Sequence, residues 1–164
     1  MINNSTFLQH FPDYCLLTFD DRDYVEVKDK SFTTVGSPSS GRWDCVARLN
    51  GRGAGVFFTP NKFPLGKRKK IDCMGVNAWF FEIDDFTIEE QWGLIKGGPL
   101  MPDMIVQTKK SLHCYFLAKD GTVANFERIQ KGLVEYYGAD SACIDISRVL
   151  RMPGFNHNKQ KEPF

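Results

Sequence analysis

The chain has 164 residues, of which 42% are hydrophobic and 25% are charged, and its formal net charge is +1. These values are typical of one globular domain with a sizeable core, so they exclude a disordered chain, and they show no overall basic excess of the kind that marks many nucleic-acid-binding proteins. No apolar run approaches the roughly 20 residues that would span a bilayer.

The first half of the chain predicts a short helix followed by strands. We expect a helix over residues 3–10 and a strand over residues 14–19 (YCLLTF). The polar, turn-rich span Asp20–Gly41 predicts a loop or an irregular hairpin. Residues 44–49 (DCVARL) and 55–60 (GVFFTP) predict two further strands, which the glycine-rich NGRGAG joins as a hairpin.

The second half predicts strands and two helices. Strands are expected at Ala78–Ile83, 103–107 and 112–117, and the basic turn TKKS joins the last two. A helix is expected near 87–96, and a clearer one runs from Thr122 to a stop at Gly138, because its apolar residues follow helical spacing. About six strands and two or three helices predict an α+β fold with helices packed on one face of a sheet.

The cysteines give no sign of a metal site. No two of them show C-x-x-C or Cys/His spacing, so the sequence predicts no zinc. An odd number of cysteines without a signal peptide is typical of a reducing cytoplasm. The five are Cys15, Cys45, Cys73, Cys114 and Cys143.

Acidic residues end the strand in NAWFFEIDD, residues 77–85. Because side chains alternate along a strand, Glu82 and Asp84 project to one face while Asp85 projects to the other. Two like charges on one face need a cation or hydrogen-bond donors, and a hard divalent ion such as Mg²⁺ suits carboxylates. The alternative is that Asp84 and Asp85 begin a solvated turn and cap the following helix.

Further polar residues follow the acidic pair in a suggestive order. Ser111 and His113 lie two apart at a strand start, hence on one face, and Asp145 is followed by Arg148 and Arg151. Carboxylates, hydrogen-bonding groups and cations are what two-metal phosphoryl transfer needs to hold a triphosphate for attack. Taken alone, His113 is better explained as a strand histidine satisfied in the core.

With these motifs in this order, the sequence resembles the archaeo-eukaryotic primase superfamily of primase-polymerases common in plasmids, phages and mobile elements. The resemblance runs from about Asn50 to the C-terminus. The matching residues are Glu82 and Asp84 for the paired acids, Ser111 and His113 for the S-x-H motif, and Asp145 for the third acid. RVLRMPGFNHNK also resembles the arginine-rich segment that follows the third acid in many members.

The resemblance implies a fold and a DNA primase or polymerase activity. The fold would be an RNA-recognition-type mixed β-sheet core with helices packed on one face, plus an N-terminal α/β unit. The expected domain spans residues 1–164, as a minimal catalytic domain or a piece of a longer replication protein. Expected partners are a single-stranded DNA template and primer, dNTPs or NTPs, and a helicase or other replication protein, fused or separate. The expected location is the cytoplasm, for a protein that is bacterial, archaeal, or encoded by a phage or plasmid.

The resemblance also assigns roles to the site residues. Glu82 and Asp84 would ligate two Mg²⁺ or Mn²⁺ ions, and Asp145 would hold the ion that activates the primer 3′-hydroxyl. Nucleotide binding would fall to Ser111, His113, Arg148, Arg151 and Lys159. Two positions depart from the usual pattern: the first acid is Glu82 where many members have Asp, and Leu112 stands where glycine is frequent.

Two other functions remain open at this point. A restriction-type nuclease would pair Asp84 with Gln107–Lys109, but it leaves Ser111, His113 and Asp145 unexplained. A noncatalytic RNA-recognition-like module would stack bases on strand phenylalanines, which are more simply core residues. The phenylalanines concerned are Phe57, Phe58, Phe80 and Phe81.

Overall fold

The structure is a computed structural model that describes residues 4–12, 14–20, 33–34, 43–64 and 66–159. The helices are α1 (Asn4–Leu8), α2 (Trp43–Gly51), α3 (Ile88–Lys96) and α4 (Val123–Tyr137). The strands are β1 (Leu16–Asp20), β2 (Thr33–Thr34), β3 (Ala54–Phe58), β4 (Ala78–Ile83), β5 (Met104–Gln107), β6 (Leu112–Leu117) and β7 (Leu150–Arg151). Short 3₁₀ turns occupy Lys70–Asp72 and Ser141–Ile144. The predicted α+β class is confirmed.

The strands form two small sheets. One has the order β2-β1-β3-β7 and the other β4-β6-β5, and the strand pairs in both are antiparallel. The predicted loop or hairpin at Asp20–Gly41 falls outside the described residues, except for Asp20 and β2. In the part of the chain that is described, no helix is long and apolar enough to cross a membrane.

Helix α2 corrects the sequence prediction, which placed a strand at residues 44–49. Val46 and Asn50 are its buried residues, and their spacing of four puts them on one helical face. Asp44 lies in the first turn, where a negative charge favours a helix. Gly53, with φ of 107°, then turns the chain directly into β3. The short apolar run was compatible with either structure, and packing against β3 decides for the helix.

An aromatic cluster joins the two sheets. Phe7 from α1 lies edge-on to Phe58 of β3, with ring centroids 5.2 Å apart, and Phe11 lies 5.5 Å from Tyr115 of β6. All four rings are buried. Such tilted and edge-to-face contacts add to the hydrophobic stabilisation of the core. The cluster fixes the inner face of the three-stranded sheet against the four-stranded one.

The outer face of the three-stranded sheet is covered by helices. Phe81 and Ile83 of β4 pack with Ile95 of α3 and Tyr137 of α4 in a second buried cluster. Alternation along β4 therefore turns Glu82 to the inner face, toward the other sheet. The carboxylate lies where the two sheets meet.

Neither Asp84 nor Asp85 caps α3, which was the alternative that the sequence left open for these two acids. Thr87 is the N-cap, and its hydroxyl accepts a hydrogen bond from the backbone N–H of Glu90. The Glu90 carboxylate in return accepts from the backbone N–H of Thr87, which completes a capping box. Asp84 and Asp85 precede this motif and are exposed.

We expect Thr87→Ala to lower the free energy of unfolding by about 0.5–2 kcal/mol, because it removes the cap of α3. Asp85→Ala should change it by less than about 0.5 kcal/mol. Urea denaturation followed by circular dichroism measures both. A larger loss for Asp85→Ala than for Thr87→Ala would show that the cap assignment is wrong.

Candidate active site

A cleft of about 510 Å³ opens where the two sheets meet. Its lining includes seven of the eight residues that the sequence assigns to the site, drawn from β4, β6, β7 and the segments beside them. They are Glu82, Asp84, Ser111, His113, Arg148, Arg151 and Lys159. Asp145 is not among the lining residues.

Glu82 and His113 are direct partners across β4 and β6. The Nε2 atom of His113 lies 3.3 Å from Oε2 of Glu82 and 3.3 Å from Oγ of Ser111. Burial, with Arg151 and Arg148 nearby, lowers the pKa of His113 to about 3. The imidazole is therefore neutral, and it meets Glu82 as a hydrogen-bonding group rather than as a cation.

The Glu82 carboxylate is largely desolvated, with its side chain 16% exposed. Burial raises its pKa above the usual range, the Arg148 guanidinium opposes this rise, and the Asp140 carboxylate adds to it. Arg148 Nη2 donates to Glu82 Oε1 at 3.1 Å and to Asp140 Oδ2 at 2.9 Å. One cationic nitrogen thus lies between two carboxylates.

Asp140 is a site residue that the sequence did not single out. Its backbone N–H donates to the Glu82 carbonyl at 3.0 Å, and its Oδ1 accepts from the Ala142 N–H at 2.9 Å, as the cap of the second 3₁₀ turn. ADSACID contains two acids five residues apart, and spacing alone cannot tell which of them faces Glu82. The capped turn places Asp140 there.

Asp145 ends the same 3₁₀ turn but is directed elsewhere. It is exposed, and its Oδ1 accepts from both the backbone N–H and the hydroxyl of Ser147 at 2.9 Å. The predicted trio of Glu82, Asp84 and Asp145 is therefore not assembled in this arrangement. Among the described residues, no three acidic, histidine or cysteine side chains form a group that could hold a metal ion.

Buried glutamines fasten the elements that carry the site. Gln130 of α4 accepts from the Phe80 N–H at 3.2 Å and donates to the Phe80 and Cys143 carbonyls. It thereby ties the turn after α4 to β4. Gln91 of α3 donates to the Lys110 carbonyl at 2.8 Å and accepts from the Leu112 N–H at 2.8 Å.

The β5–β6 hairpin brings two lysines to the cleft. The Thr108 hydroxyl accepts from the Ser111 N–H at 3.0 Å and lies 2.8 Å from the Ser111 hydroxyl, so the four-residue turn is internally bonded. Lys109 and Lys110 form its tip and line the cleft. The tip adds positive charge to the cleft that Glu82 also lines.

The segment after β7 is anchored by asparagines. Asn50 donates to the Asn156 carbonyl at 2.9 Å, and Asn158 donates to the Asn50 carbonyl at 2.8 Å. His157 and Lys159, which alternate with these asparagines, line the cleft. The asparagine bonds therefore hold this segment so that His157 and Lys159 face the site. No local sequence signal predicts these bonds to Asn50.

A family model for the RepB DNA-primase N-terminal domain matches residues 64–163, more than half of the chain. The chain belongs to this family. The membership confirms the archaeo-eukaryotic primase superfamily that the motifs resemble, and it gives this RepB-type domain a DNA primase-type function. No protein of curated function matches the chain closely enough to count as a relative.

The RepB-type domain also resembles solved structures. The AEP domain of the cyanophage S-2L primase-polymerase matches with a TM-score of 0.79 and 23% identity, over 96% of this chain and 83% of that one. Primase RepB′ matches with a TM-score of 0.65 and 17% identity, over 94% of this chain and 50% of that one. The catalytic domain of primase RepB′ in complex with initiator DNA matches with a TM-score of 0.62 and 16% identity, over 96% of this chain and 77% of that one. These likenesses confirm the primase-polymerase fold.

Proposed function

We propose that this RepB-type domain is a template-directed nucleotidyltransferase that joins nucleotides into a primer or an extended strand. The observation that carries the proposal is the composition of the cleft between the sheets. The cleft is lined by two carboxylates, Glu82 and Asp84, and by cationic side chains from three separate segments. The cationic residues are Lys109 and Lys110 of the hairpin tip, Arg148 and Arg151 around β7, and Lys159 beyond it.

The cationic side chains suit a nucleoside triphosphate. Guanidinium and ammonium groups bind phosphate oxygens, and Arg151 is held over the Phe57 ring with its guanidinium carbon 4.7 Å from the ring centroid. His113 is neutral, so its contribution would be a hydrogen bond rather than charge. Ser111 lies beside it and offers a hydroxyl. These groups would bind and orient the triphosphate.

We propose that two Mg²⁺ or Mn²⁺ ions act in this cleft. Carboxylate oxygens are the donors that such ions prefer. Glu82 and Asp84 line the cleft and Asp140 shares Arg148 with Glu82, so these are the acids that would have to close around the ions. The ions would offset the charge that develops during phosphoryl transfer and favour ionisation of the attacking 3′-hydroxyl. The donor chemistry fits, and Oε1 of Glu82 accepts a hydrogen bond from Arg148 in this structure.

DNA is the proposed second partner. The fold resembles the catalytic domain of primase RepB′ in complex with initiator DNA. We propose a single-stranded template with a primer, and dNTPs or NTPs as substrates, in the replication of a plasmid, phage or mobile element in the cytoplasm of its host. The net charge of +1 provides little general attraction for DNA, so a helicase or another replication protein would hold the complex together.

The activity is tested with labelled template and primer, separate dNTP and NTP pools, and Mg²⁺ or Mn²⁺. Glu82→Gln and Asp84→Asn should each lower synthesis by roughly 100-fold or more, because several kcal/mol of transition-state stabilisation is lost. Asp85→Asn is the matched control, since Asp85 is exposed and does not line the cleft, and it should retain activity near the parent level. Labelled template degraded without incorporation would instead support the nuclease.

The third acid is tested by a second matched pair. Asp140→Asn and Asp145→Asn each remove one charge while an amide oxygen keeps the local turn bond to Ala142 or Ser147. We expect the Asp140 variant to lose roughly tenfold to 100-fold in synthesis and the Asp145 variant to lose much less, because only Asp140 meets Glu82 through a shared partner. The opposite order would restore Asp145 as the third acid.

A further inference from the structure

Arg148 is placed differently from a residue that simply awaits a triphosphate. Its Nη2 atom bonds to both Glu82 and Asp140, at 3.1 and 2.9 Å. The sequence assigned this arginine to nucleotide binding, yet its terminal nitrogen faces the two acids. The guanidinium thus satisfies the same carboxylates that a divalent cation would need.

The charge balance around Glu82 shows why such a group is required. The Glu82 side chain is only 16% exposed, and its carboxylate has Asp140 as a close neighbour of like charge. A mostly buried carboxylate beside a second carboxylate is costly unless a cation lies between them, even though the Asp140 side chain is itself 30% exposed. Arg148 bonds to both carboxylates, whereas His113, the strand partner of Glu82, lies against Oε2 of Glu82 alone at 3.3 Å.

The arginine is also only partly satisfied in this position. Its Nε atom is buried and has no hydrogen-bond partner among the described residues. Guanidinium groups bind most strongly when several N–H groups are engaged together, as in bidentate pairs with phosphate. A triphosphate in the same cleft would offer Arg148 more acceptors, and its side chain is 32% exposed, so it is not enclosed on every side.

We propose that Arg148 holds the place of a divalent cation between Glu82 and Asp140, and that an ion binding these acids displaces it toward the incoming triphosphate. This inference rests on the proposed function for the role of the triphosphate. It makes Arg148 a positioning residue that keeps the two acids together and charge-balanced until the ion arrives. Cation and arginine compete for the same oxygens.

Competition predicts that removal of the arginine strengthens ion binding. Arg148→Met should bind Mn²⁺ at least about tenfold more tightly than the parent chain, equal to about 1.4 kcal/mol, in calorimetric or electron paramagnetic resonance titrations without nucleotide. Arg151→Met is the matched control, because it removes the same charge from the same cleft while its guanidinium contacts the Phe57 ring. The control should gain clearly less affinity.

Three results would overturn the inference. They are weaker Mn²⁺ binding by Arg148→Met, an equal gain in both variants, and no Mn²⁺ binding by either the parent or Arg148→Met. If Arg148→Met fails to fold by circular dichroism, Arg148→Gln, which is neutral but keeps a donor, is expected to show the same gain. The synthesis assay is separate: an inactive parent chain with a tenfold gain in Arg148→Met would contradict the proposed function and support the competition.

Discussion

The burial of the Glu82 carboxylate at the junction of two sheets is the constraint on which the site depends. Its position on β4 follows from strand alternation, which turns Phe81 and Ile83 toward the helices and Glu82 toward the other sheet. A desolvated carboxylate must then be offset by nearby groups. Arg148 and His113 provide this, one as a charge and one as a neutral hydrogen-bonding group.

The partners of Glu82 come from segments far apart in the chain, so the supports of those segments matter as much as the partners. Gln130 bonds both β4 and the turn that presents Asp140, and Gln91 holds the hairpin that carries the lysines. Each glutamine satisfies backbone groups that would otherwise be buried without partners, which is a strong reason for one fixed arrangement. Buried hydrogen bonds therefore hold the segments that carry Glu82 and Asp140, while the lysine tip is exposed.

Much of this architecture follows from local sequence patterns. The period-two pattern of β4 predicted which face Glu82 takes, and the motif order predicted that Ser111 and His113 would lie beside it. Local patterns predicted a strand where α2 lies, because a short apolar run fits a helix or a strand and the tertiary packing decides between them. The motif order named Asp145 as the third acid and did not consider Asp140, whose bond to Arg148 depends on how a capped 3₁₀ turn is held against β4. The contacts of Gln130 and Asn50 join residues about 50 to 100 positions apart, beyond any local signal.

Crystals of the chain with Mn²⁺ and a non-hydrolysable nucleoside triphosphate, measured at the manganese absorption edge, test the account most directly. We expect anomalous peaks at Glu82, Asp84 and Asp140, with the Arg148 guanidinium turned away from Glu82 and bonded to phosphate oxygens. Manganese bound at Asp145 instead, or Arg148 still bridging Glu82 and Asp140 with the nucleotide in place, would contradict it.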